Sequence, residues 1–379
     1  MVAESYESLK KVSSKDEDWK YIELSDEIND FQVSKNESEL HEDLNFHINF
    51  NGVKSSQNTE LNSYYLTNLE DLTTPLIDSY YKRPLDRFIA QQYQKNSGGI
   101  VIKFSENNEE FIKLNLQNNQ LAIPYIGINV EKNVTAKLLI NFGDMVSSDM
   151  YSIIEISAKQ NSNLEIIIDN NTSNQVKVIN TIYGKIEKDA FLNIHTVSTG
   201  ASLSRNRIDI DLVGNGAGFN IDGVYFGENT QTHDNRVFVN HIAKNTSSNM
   251  LTKGVLGDSS KSVFTGTIHI AEGATKTESH QENRNILISK TASAQSVPNL
   301  EILCDDVICG HGSSVGPIEE NLYHYVMSRG INKVNAEKLL IKGFFNEVLN
   351  KRGWESISKK VANEIMKKYS SVLSHTGPK

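Results

Sequence analysis

Short β-type segments follow one another for about two hundred residues, from Ile100 to about Leu303. Runs such as FIKLNL, YSIIEIS and LEIIID recur roughly every 10 to 15 residues between clusters of Asn, Gly, Ser and Asp. From Arg207 to Leu212 apolar and polar residues alternate, which is the period of a strand with one buried face. A sandwich, a barrel and a solenoid all fit this pattern, and the scarcity of hairpin turn pairs favours a β-solenoid.

The segments before this stretch have a different character. Residues 1 to about 30 look helical, with Trp19, Ile22 and Leu24 as apolar anchors, and a second helical pattern runs from Leu85 to Tyr93. The polar segment from Lys35 to Asn62 is predicted to be loose. We therefore expect a mostly helical amino-terminal region over residues 1–98.

After Pro317 the pattern becomes helical again. A helix start is predicted near Asn335, and the last helix is expected to place Ile357, Val361, Ile365 and Tyr369 on one face. We predict a β-solenoid core over residues 99–316 and a helical domain over residues 317–379.

Composition excludes several classes of protein. No apolar run approaches the roughly 20 residues of a membrane span. The polar amino terminus has no secretory signal, which predicts a cytoplasmic protein. A net charge of -9 argues against nucleic-acid binding. From Lys333 to the end, however, the sequence has ten Lys and Arg but four Glu. This basic segment is either a solvated helical face or a docking surface for an acidic partner.

Residues 304–316, CDDVICGHGSSVG, hold both cysteines of the chain. Cys309 and His311 are two positions apart, so an extended backbone points both side chains to one face, as a shared metal or cluster requires. Cys304 lies at odd parity and is interpreted as a small buried residue, unless a bend at Asp305 and Asp306 redirects it. The chain offers too few Cys and His ligands for a closed structural zinc site, which needs four. One interpretation is an incomplete metal or cluster site that another subunit finishes, and the other is plain core packing.

Other chemical motifs are weaker. Adjacent strand residues point to opposite faces, so Asp305 and Asp306 are poor candidates for paired acid and base work. The glycine string at Gly214, Gly216 and Gly218 leads into a strand rather than a helix, and no glycine immediately precedes Lys261 as a Walker loop requires. No nucleotide is expected on this chain. Hydrogen-bonded or solvated roles are expected for the histidines of the β-region, His233, His241, His269 and His280.

The 304–331 stretch, CDDVICGHGSSVGPIEENLYHYVMSRGI, resembles the SufB/SufD family of iron-sulfur cluster assembly proteins, and its SufD branch in particular. The similarity continues upstream through SVFTGTIHI and QENRNILIS, and downstream to Phe344. The SufB branch has a cysteine after the glutamine of the upstream motif and HEAT in place of HGSS, and both departures favour SufD. Cys304, Pro317 and His324 depart from the family pattern.

The resemblance implies a right-handed parallel β-helix with helical ends, acting as a non-enzymatic scaffold. It also implies pairing with a SufB-like subunit, or with a second copy as a homodimer, and docking of a SufC-type ABC ATPase on the carboxy-terminal helices. Sulfide would come indirectly from a cysteine desulfurase system. Iron or a transient iron-sulfur cluster would sit at the subunit interface, with His311 and then Cys309 as the metal ligands carried over. The residues expected at the ATPase interface are Tyr325, Ser328, Arg329, Gly330 and Phe344.

Two alternatives remain open from the residues. One is a β-helix carbohydrate lyase or hydrolase, and the other is a metal-free structural dimerisation protein.

Overall fold

Two sheets face each other along the β-rich stretch, and successive strands alternate between them. The computed structural model describes residues 6–22, 26–31, 44–50, 53–55, 64–68, 86–95, 99–143 and 146–375. The first sheet, sheet A, contains β1 (Leu44–Phe50), β2 (Val53–Ser55), β5 (Ile112–Asn118), β7 (Thr135–Phe142), β9 (Asn163–Asn170), β11 (Phe191–Ser198), β13 (Gly218–Gly227), β15 (Ser247–Leu256), β17 (Thr277–Leu287) and β19 (Val307–Gly316). The second, sheet B, contains β3 (Tyr64–Asn68), β4 (Gly99–Phe104), β6 (Tyr125–Val130), β8 (Met150–Ala158), β10 (Lys177–Ile186), β12 (Leu203–Leu212), β14 (Thr232–His241), β16 (Lys261–Ile270) and β18 (Ser293–Ile302).

Strands that pair within a sheet are two apart in the chain and run parallel from β4 to β19. In sheet B, for example, Lys177 pairs with Leu203, Leu203 with Thr232, Thr232 with Lys261, and Lys261 with Ser293. Each turn of the chain thus adds one strand to each sheet and stacks on the turn before it. The predicted mainly β, parallel solenoid is confirmed.

The core lies between the sheets and is built from the inward face of each strand. On β12, Ile208, Ile210 and Leu212 are fully buried in it, whereas Arg207 and Asp209 point outward and pair at 3.1 Å. The predicted alternation on this strand is confirmed. The apolar residues that recur at every second position therefore identify the buried face of β12.

The glycine string serves turn stacking. A Cβ at Gly214 would lie 1.9 Å from the backbone nitrogen of Lys188 in the preceding turn. Gly216 has φ +76°, and a Cβ there would meet the Asp189 carboxylate at 2.3 Å. Side chains at these corners would hold successive turns apart.

The amino-terminal segments pack on the outer face of sheet B. Helix α2 (Arg87–Gln94) confirms the second helical pattern, and Asp86 caps it by accepting a hydrogen bond from the Ile89 nitrogen. Trp19 is buried in a short 3-10 turn, and its indole nitrogen donates to the Asp86 carboxylate at 2.9 Å. Ile22 is also buried, and Leu24 lies outside the described residues.

The described part of residues 1–98 is mixed rather than mostly helical. Its helices are 3-10 turns at Tyr6–Ser8 and Glu17–Trp19, the four-residue α1 (Asp26–Asn29), and α2. The interpretation of residues 35–62 as loose is wrong at β1 and β2, which are strands. The sequence of β1, LNFHINF, alternates apolar and polar residues as a strand does, and β1 pairs antiparallel with β5.

The carboxy-terminal helices are α3 (Glu320–Met327), α4 (Lys333–Leu349) and α5 (Ser358–His375), which pack on the outer face of sheet A. Asn332 caps α4 by accepting from the Asn335 nitrogen at 2.9 Å, so this helix starts close to the predicted position. The predicted apolar face of the last helix is confirmed, because Ile357, Val361, Ile365 and Tyr369 are all buried against the sheet. The division of the chain at residues 98/99 and 316/317 stays a prediction.

Candidate functional site

The motif around His311 forms β19, the last strand of sheet A. Among the described residues β19 pairs only with β17, so its other edge presents unpaired backbone groups at the end of the solenoid. Ile302 and Leu303 beside it, and Ile308 and Val315 on it, are exposed apolar side chains. The motif therefore lies on an open end of the stack, where a strand or another solenoid could be added.

Cys309 and His311 lie on the same face of β19, as their spacing predicts. Their register partners on β17 are Ser279 and Gln281, both buried on the inward face. Cys309 is half-buried against the core, whereas His311, two residues further along, is exposed. The inward face of β19 thus carries a thiol and an imidazole at the mouth of the solenoid.

Cys304 joins the same interior by way of a bend. Strand β18 ends at Ile302, and the chain bends at Asp305 and Asp306 before β19 begins. Cys304 therefore packs half-buried against the core cluster that Cys309 also contacts. Because of this bend, the odd spacing between Cys304 and Cys309 does not place them on opposite faces, as it would in an unbroken strand. Asp305 and Asp306 are exposed on the outside of the bend.

Gly310 and Gly312 face outward on either side of His311. Gly310 lies opposite His280, and a Cβ there would approach the His280 Nδ1 to 3.3 Å. Gly312 lies opposite Glu282 with more space, since the nearest atom to its Cβ would be at 3.7 Å. These glycines leave an open groove of about 530 Å³ that extends along sheet A towards α4.

Inside the solenoid, polar side chains lead away from Cys309. The hydroxyl oxygens of Ser279 and Ser248 are 2.5 Å apart, and Ser248 lies 3.0 Å from the Nε2 of His241. Gln281 is buried, and its Oε1 has no hydrogen-bond partner in the described structure. Sequence reasoning did not single out Ser248 or Ser279, and it used Gln281 only as the glutamine of the upstream family motif, although inward positions with polar residues near the last turns were a usable signal.

The buried histidines have the structural roles expected of them. His241 bonds to Thr246 at 2.8 Å as well as to Ser248, and burial lowers its pKa to about 4. His233 is hydrogen-bonded to Ser198 at 3.0 Å, and burial lowers its pKa to about 3. Both rings are therefore neutral at physiological pH. His280 is exposed in the outer groove.

The donor set at the open end is incomplete as a metal site. Within the described residues no three side chains of His, Cys, Asp or Glu converge to hold an ion. Burial raises the pKa of the Cys309 thiol, against a smaller lowering by the Gly310 backbone. Cys309 and His311 can therefore supply one soft and one borderline ligand, and further ligands must come from outside these residues.

A family model described as "SUF system FeS cluster assembly, SufBD core domain" matches residues 112–344. The chain belongs to the SufB/SufD family. Residues 112–344 run from β5 to the carboxy-terminal helix α4, so the matched region contains the open end and its motif.

Named relatives place the chain within this family. An iron-sulfur cluster assembly SufBD family protein of Mycobacterium leprae is 28% identical over 283 residues, which are 71% of this chain and 71% of the relative. The iron-sulfur cluster assembly protein SufD of Escherichia coli is 30% identical over 180 residues, 48% of this chain and 43% of that protein. SufD of Bacillus subtilis is 34% identical over 172 residues, 45% and 39% of the two chains. The chain is most like SufD, and these SufD alignments cover less than half of each relative.

Most residues predicted for an ATPase interface cluster near the turn that follows α3. Tyr325 is 62% exposed, the Arg329 guanidinium lies 5.3 Å from its ring centre, and Ser328 donates to the Tyr325 carbonyl. Gly330 has φ +84° at the turn between α3 and α4. Phe344 lies apart, half-buried, with the Lys253 ammonium 4.4 Å from its ring centre. No helix in the described part of the chain is long and apolar enough to cross a membrane.

Proposed function

We propose that this chain is a SufD-like, non-catalytic scaffold subunit of a SUF-type assembly complex. Its solenoid would pair with a SufB-like subunit, or with a second copy, and its helical module would dock a SufC-type ABC ATPase. Iron or a nascent cluster, supplied with sulfide by a separate cysteine desulfurase, would be held where the two solenoids meet. The observation that carries the proposal is the position of Cys309 and His311 on the open end of sheet A.

The open end has the features of a protein interface. The free edge of β19 offers backbone donors and acceptors to an added strand, and exposed edges of this kind are normally covered in native proteins. Ile308 and Leu303 are 59% and 61% exposed beside that edge, so covering them would remove apolar surface from water. A partner solenoid is the occupant of matching shape, and it would place its own side chains opposite His311.

The donor set supports a shared site. A thiolate and an imidazole bind iron and iron-sulfur clusters, but two donors leave coordination positions unfilled. Because His311 is exposed and Cys309 is half-buried, the imidazole is the donor better able to reach a partner subunit. This supports His311 as the main contribution of this chain and Cys309 as a secondary one.

The turn after α3 supports the ATPase proposal. Tyr325 and Met327 on α3 and Leu339 on α4 are exposed apolar side chains on neighbouring helices, and Arg329 lies beside them. Aromatic and Arg side chains are typical anchors of protein interfaces. Movement of a docked ATPase could reach the solenoid through α4, which packs on sheet A near the open end.

Cluster assembly in a reconstituted complex with the SufB-like and SufC-like partners tests the metal proposal. His311→Ala is expected to reduce cluster yield most and Cys309→Ala less, while His269→Ala, on β16 of the other sheet, is the matched control. Iron content and visible absorption of the purified complex give the yield. Parental yield in both the His311 and Cys309 variants would support the metal-free dimerisation alternative instead.

Co-purification tests the docking proposal. Tyr325→Ala combined with Arg329→Ala is expected to lower ATPase capture at least tenfold, whereas Lys188→Ala, at a solenoid corner, should leave it unchanged. Capture that survives deletion of residues 318–379 would contradict docking on the helical module.

A further inference from the structure

A second cleft lies on the outer face of sheet A, away from β19. It has a volume of about 770 Å³, and the loop between α4 and α5 forms one wall. Its floor is lined by polar side chains of β9, β11 and β13, including Glu165, His195 and Asp222. His195 is only 3% exposed, so a potential metal ligand is buried in this cleft.

The His195 imidazole is held on one side. Its Nε2 lies 3.2 Å from Glu165 Oε1, and this hydrogen bond is the main cause that lowers the pKa of Glu165. Gly353, with φ +97°, closes over the same nitrogen, because a Cβ there would lie 2.3 Å from it. The Trp354 ring meets the imidazole edge-on, with ring centres 5.3 Å apart. The orientation of the ring is therefore set by the sheet and by the loop together.

The other ring nitrogen is unsatisfied. Nδ1 of His195 is buried and has no hydrogen-bond partner in the described structure. The nearest carboxylate oxygen, Asp222 Oδ2, is 4.0 Å away, which is too long for a hydrogen bond. The second oxygen of Asp222 is occupied, since Oδ1 accepts from Lys351 Nζ at 2.6 Å. One nitrogen and one oxygen thus face each other across a gap.

We propose that this gap binds a divalent transition-metal ion between His195 Nδ1 and Asp222 Oδ2. Bonds from such an ion to imidazole nitrogen and carboxylate oxygen are about 2.0 to 2.2 Å each, so a tetrahedral ion bonded to both atoms would draw them from 4.0 Å to about 3.4 Å apart. Glu165 then has the role of the carboxylate that accepts from the second nitrogen of a metal-bound histidine and fixes its orientation. Imidazole with carboxylate suits Zn²⁺ and Fe²⁺ rather than a soft ion such as Cu⁺.

This site is separate from the one proposed at His311 and does not depend on it. Because no three His, Cys, Asp or Glu side chains converge among the described residues, water or amide oxygens of the cleft must fill the remaining positions. Glu165 and Asp222 share the cleft with three cations, Lys351, Arg352 and Lys137, the last of which lies 3.9 Å from Glu165. An added ion would therefore compete with these side chains for the two carboxylates.

A metal-free arrangement is the competing explanation. A protonated His195 could donate to both Glu165 and Asp222 after a small closure of the gap, and would then bind no ion. The two explanations differ in what Zn²⁺ does, because only the first makes metal affinity depend on both His195 and Asp222.

Titration of the full chain with Zn²⁺ by calorimetry, and with Co²⁺ by visible absorption, tests the site. Cys309→Ala and His311→Ala are placed in the background so that the open end does not contribute. One equivalent of Zn²⁺ is expected to bind, and His195→Gln and Asp222→Asn should each weaken it at least tenfold. Glu165→Gln should weaken Zn²⁺ binding about 10- to 100-fold, because loss of a carboxylate that orients a metal-bound histidine typically lowers metal affinity by this factor.

Two variants provide the controls. Lys351→Met removes the ion pair to Asp222 but keeps the proposed ligands, and His375→Ala removes an exposed histidine on α5; neither should weaken Zn²⁺ binding. If His195→Gln does not fold, as judged by its thermal transition, the comparison of Asp222→Asn with Lys351→Met decides. Absence of Zn²⁺ binding in the background protein, or equal affinity in Asp222→Asn and Lys351→Met, would overturn the proposal.

Discussion

The ammonium of Lys360, on α5, lies 2.7 Å from the Oδ2 of Asp169 on β9, 191 positions earlier in the chain. Asp169 is only 1% exposed, whereas the Lys360 side chain reaches it from the surface of the helix. Lys368 on the same helix pairs with Glu228 at 2.6 Å. The basic character of the last helices is thus used in part by the solenoid of the same chain, which supplies acidic partners for it.

Removing the Lys360 ammonium is expected to destabilise the chain. Lys360→Ala leaves the buried Asp169 carboxylate without this ion pair, and its other oxygen already has no hydrogen-bond partner in the described structure. A buried acceptor left unsatisfied costs about 1 to 3 kcal/mol in the free energy of unfolding. Urea unfolding measures the change. In Lys188→Ala, whose pair with Asp189 is exposed at 3.9 Å, the cost should stay below about 0.5 kcal/mol; equal costs would contradict the argument.

The buried His241 is expected to lower the free energy of unfolding of the chain in acid. Burial lowers its pKa from the usual 6.5 to about 4 in the folded chain. Above pH 6.5 the ring is neutral in both states, and as pH falls towards 4 the unfolded chain takes up a proton that the folded chain does not. Stability therefore decreases over this window, by about 3 kcal/mol when complete.

Urea unfolding at several pH values between 7 and 4 checks this effect. The slope of unfolding free energy against pH should be smaller in His241→Asn than in the parent chain. His324→Ala, which removes an exposed ring on α3, is the control and should keep the parental slope. An unchanged slope in His241→Asn would show that other groups cause the acid sensitivity.

The parts of the fold that follow a short period were predictable from sequence. The alternation in β12 and the apolar face of α5 each report burial directly, because neighbouring positions share one face. The same two-residue period places Cys309 and His311 on one face of β19. The strand β1 was missed although LNFHINF has the same alternation, because the polar residues around it were taken to indicate a loose segment; β2 has only three residues, too few to show a period.

The outer face of sheet A was hidden for a related reason. Glu165, His195 and Asp222 stand at outward, polar positions that look solvated in any single strand. They meet because successive turns stack: Asp222 is the register partner of His195, and Glu165 lies two positions before Ile167, the partner of His195 on the preceding turn. The loop at Gly353 covers them. A periodicity analysis within one strand does not detect contacts between turns.

Gly214 predicts a strong effect of a single added methyl group. In Gly214→Ala the new Cβ would lie 1.9 Å from the backbone nitrogen of Lys188, which cannot move without shifting the preceding turn. Overpacking of this kind costs about 1 to 3 kcal/mol. Gly312→Ala is the matched control, because the nearest atom would be at 3.7 Å and the change should stay within about 0.5 kcal/mol. Thermal and urea unfolding of the two variants measure the contrast, and a milder effect at Gly214 would argue against tight stacking at this corner.

The Cys309 thiol is expected to react slowly at neutral pH. Burial raises its pKa above the usual value, so less of the reactive thiolate is present in the folded chain than in the unfolded one. In a Cys304→Ser variant, where Cys309 is the remaining cysteine, the rate of alkylation by iodoacetamide should rise with pH and reach its midpoint at higher pH than in the same protein unfolded in urea. Cys309→Ser, in which Cys304 is the remaining cysteine, is the matched control. A midpoint at or below that of the unfolded protein would mean that the mouth of the solenoid stabilises the thiolate, and Cys309 would then rank with His311 as a metal ligand.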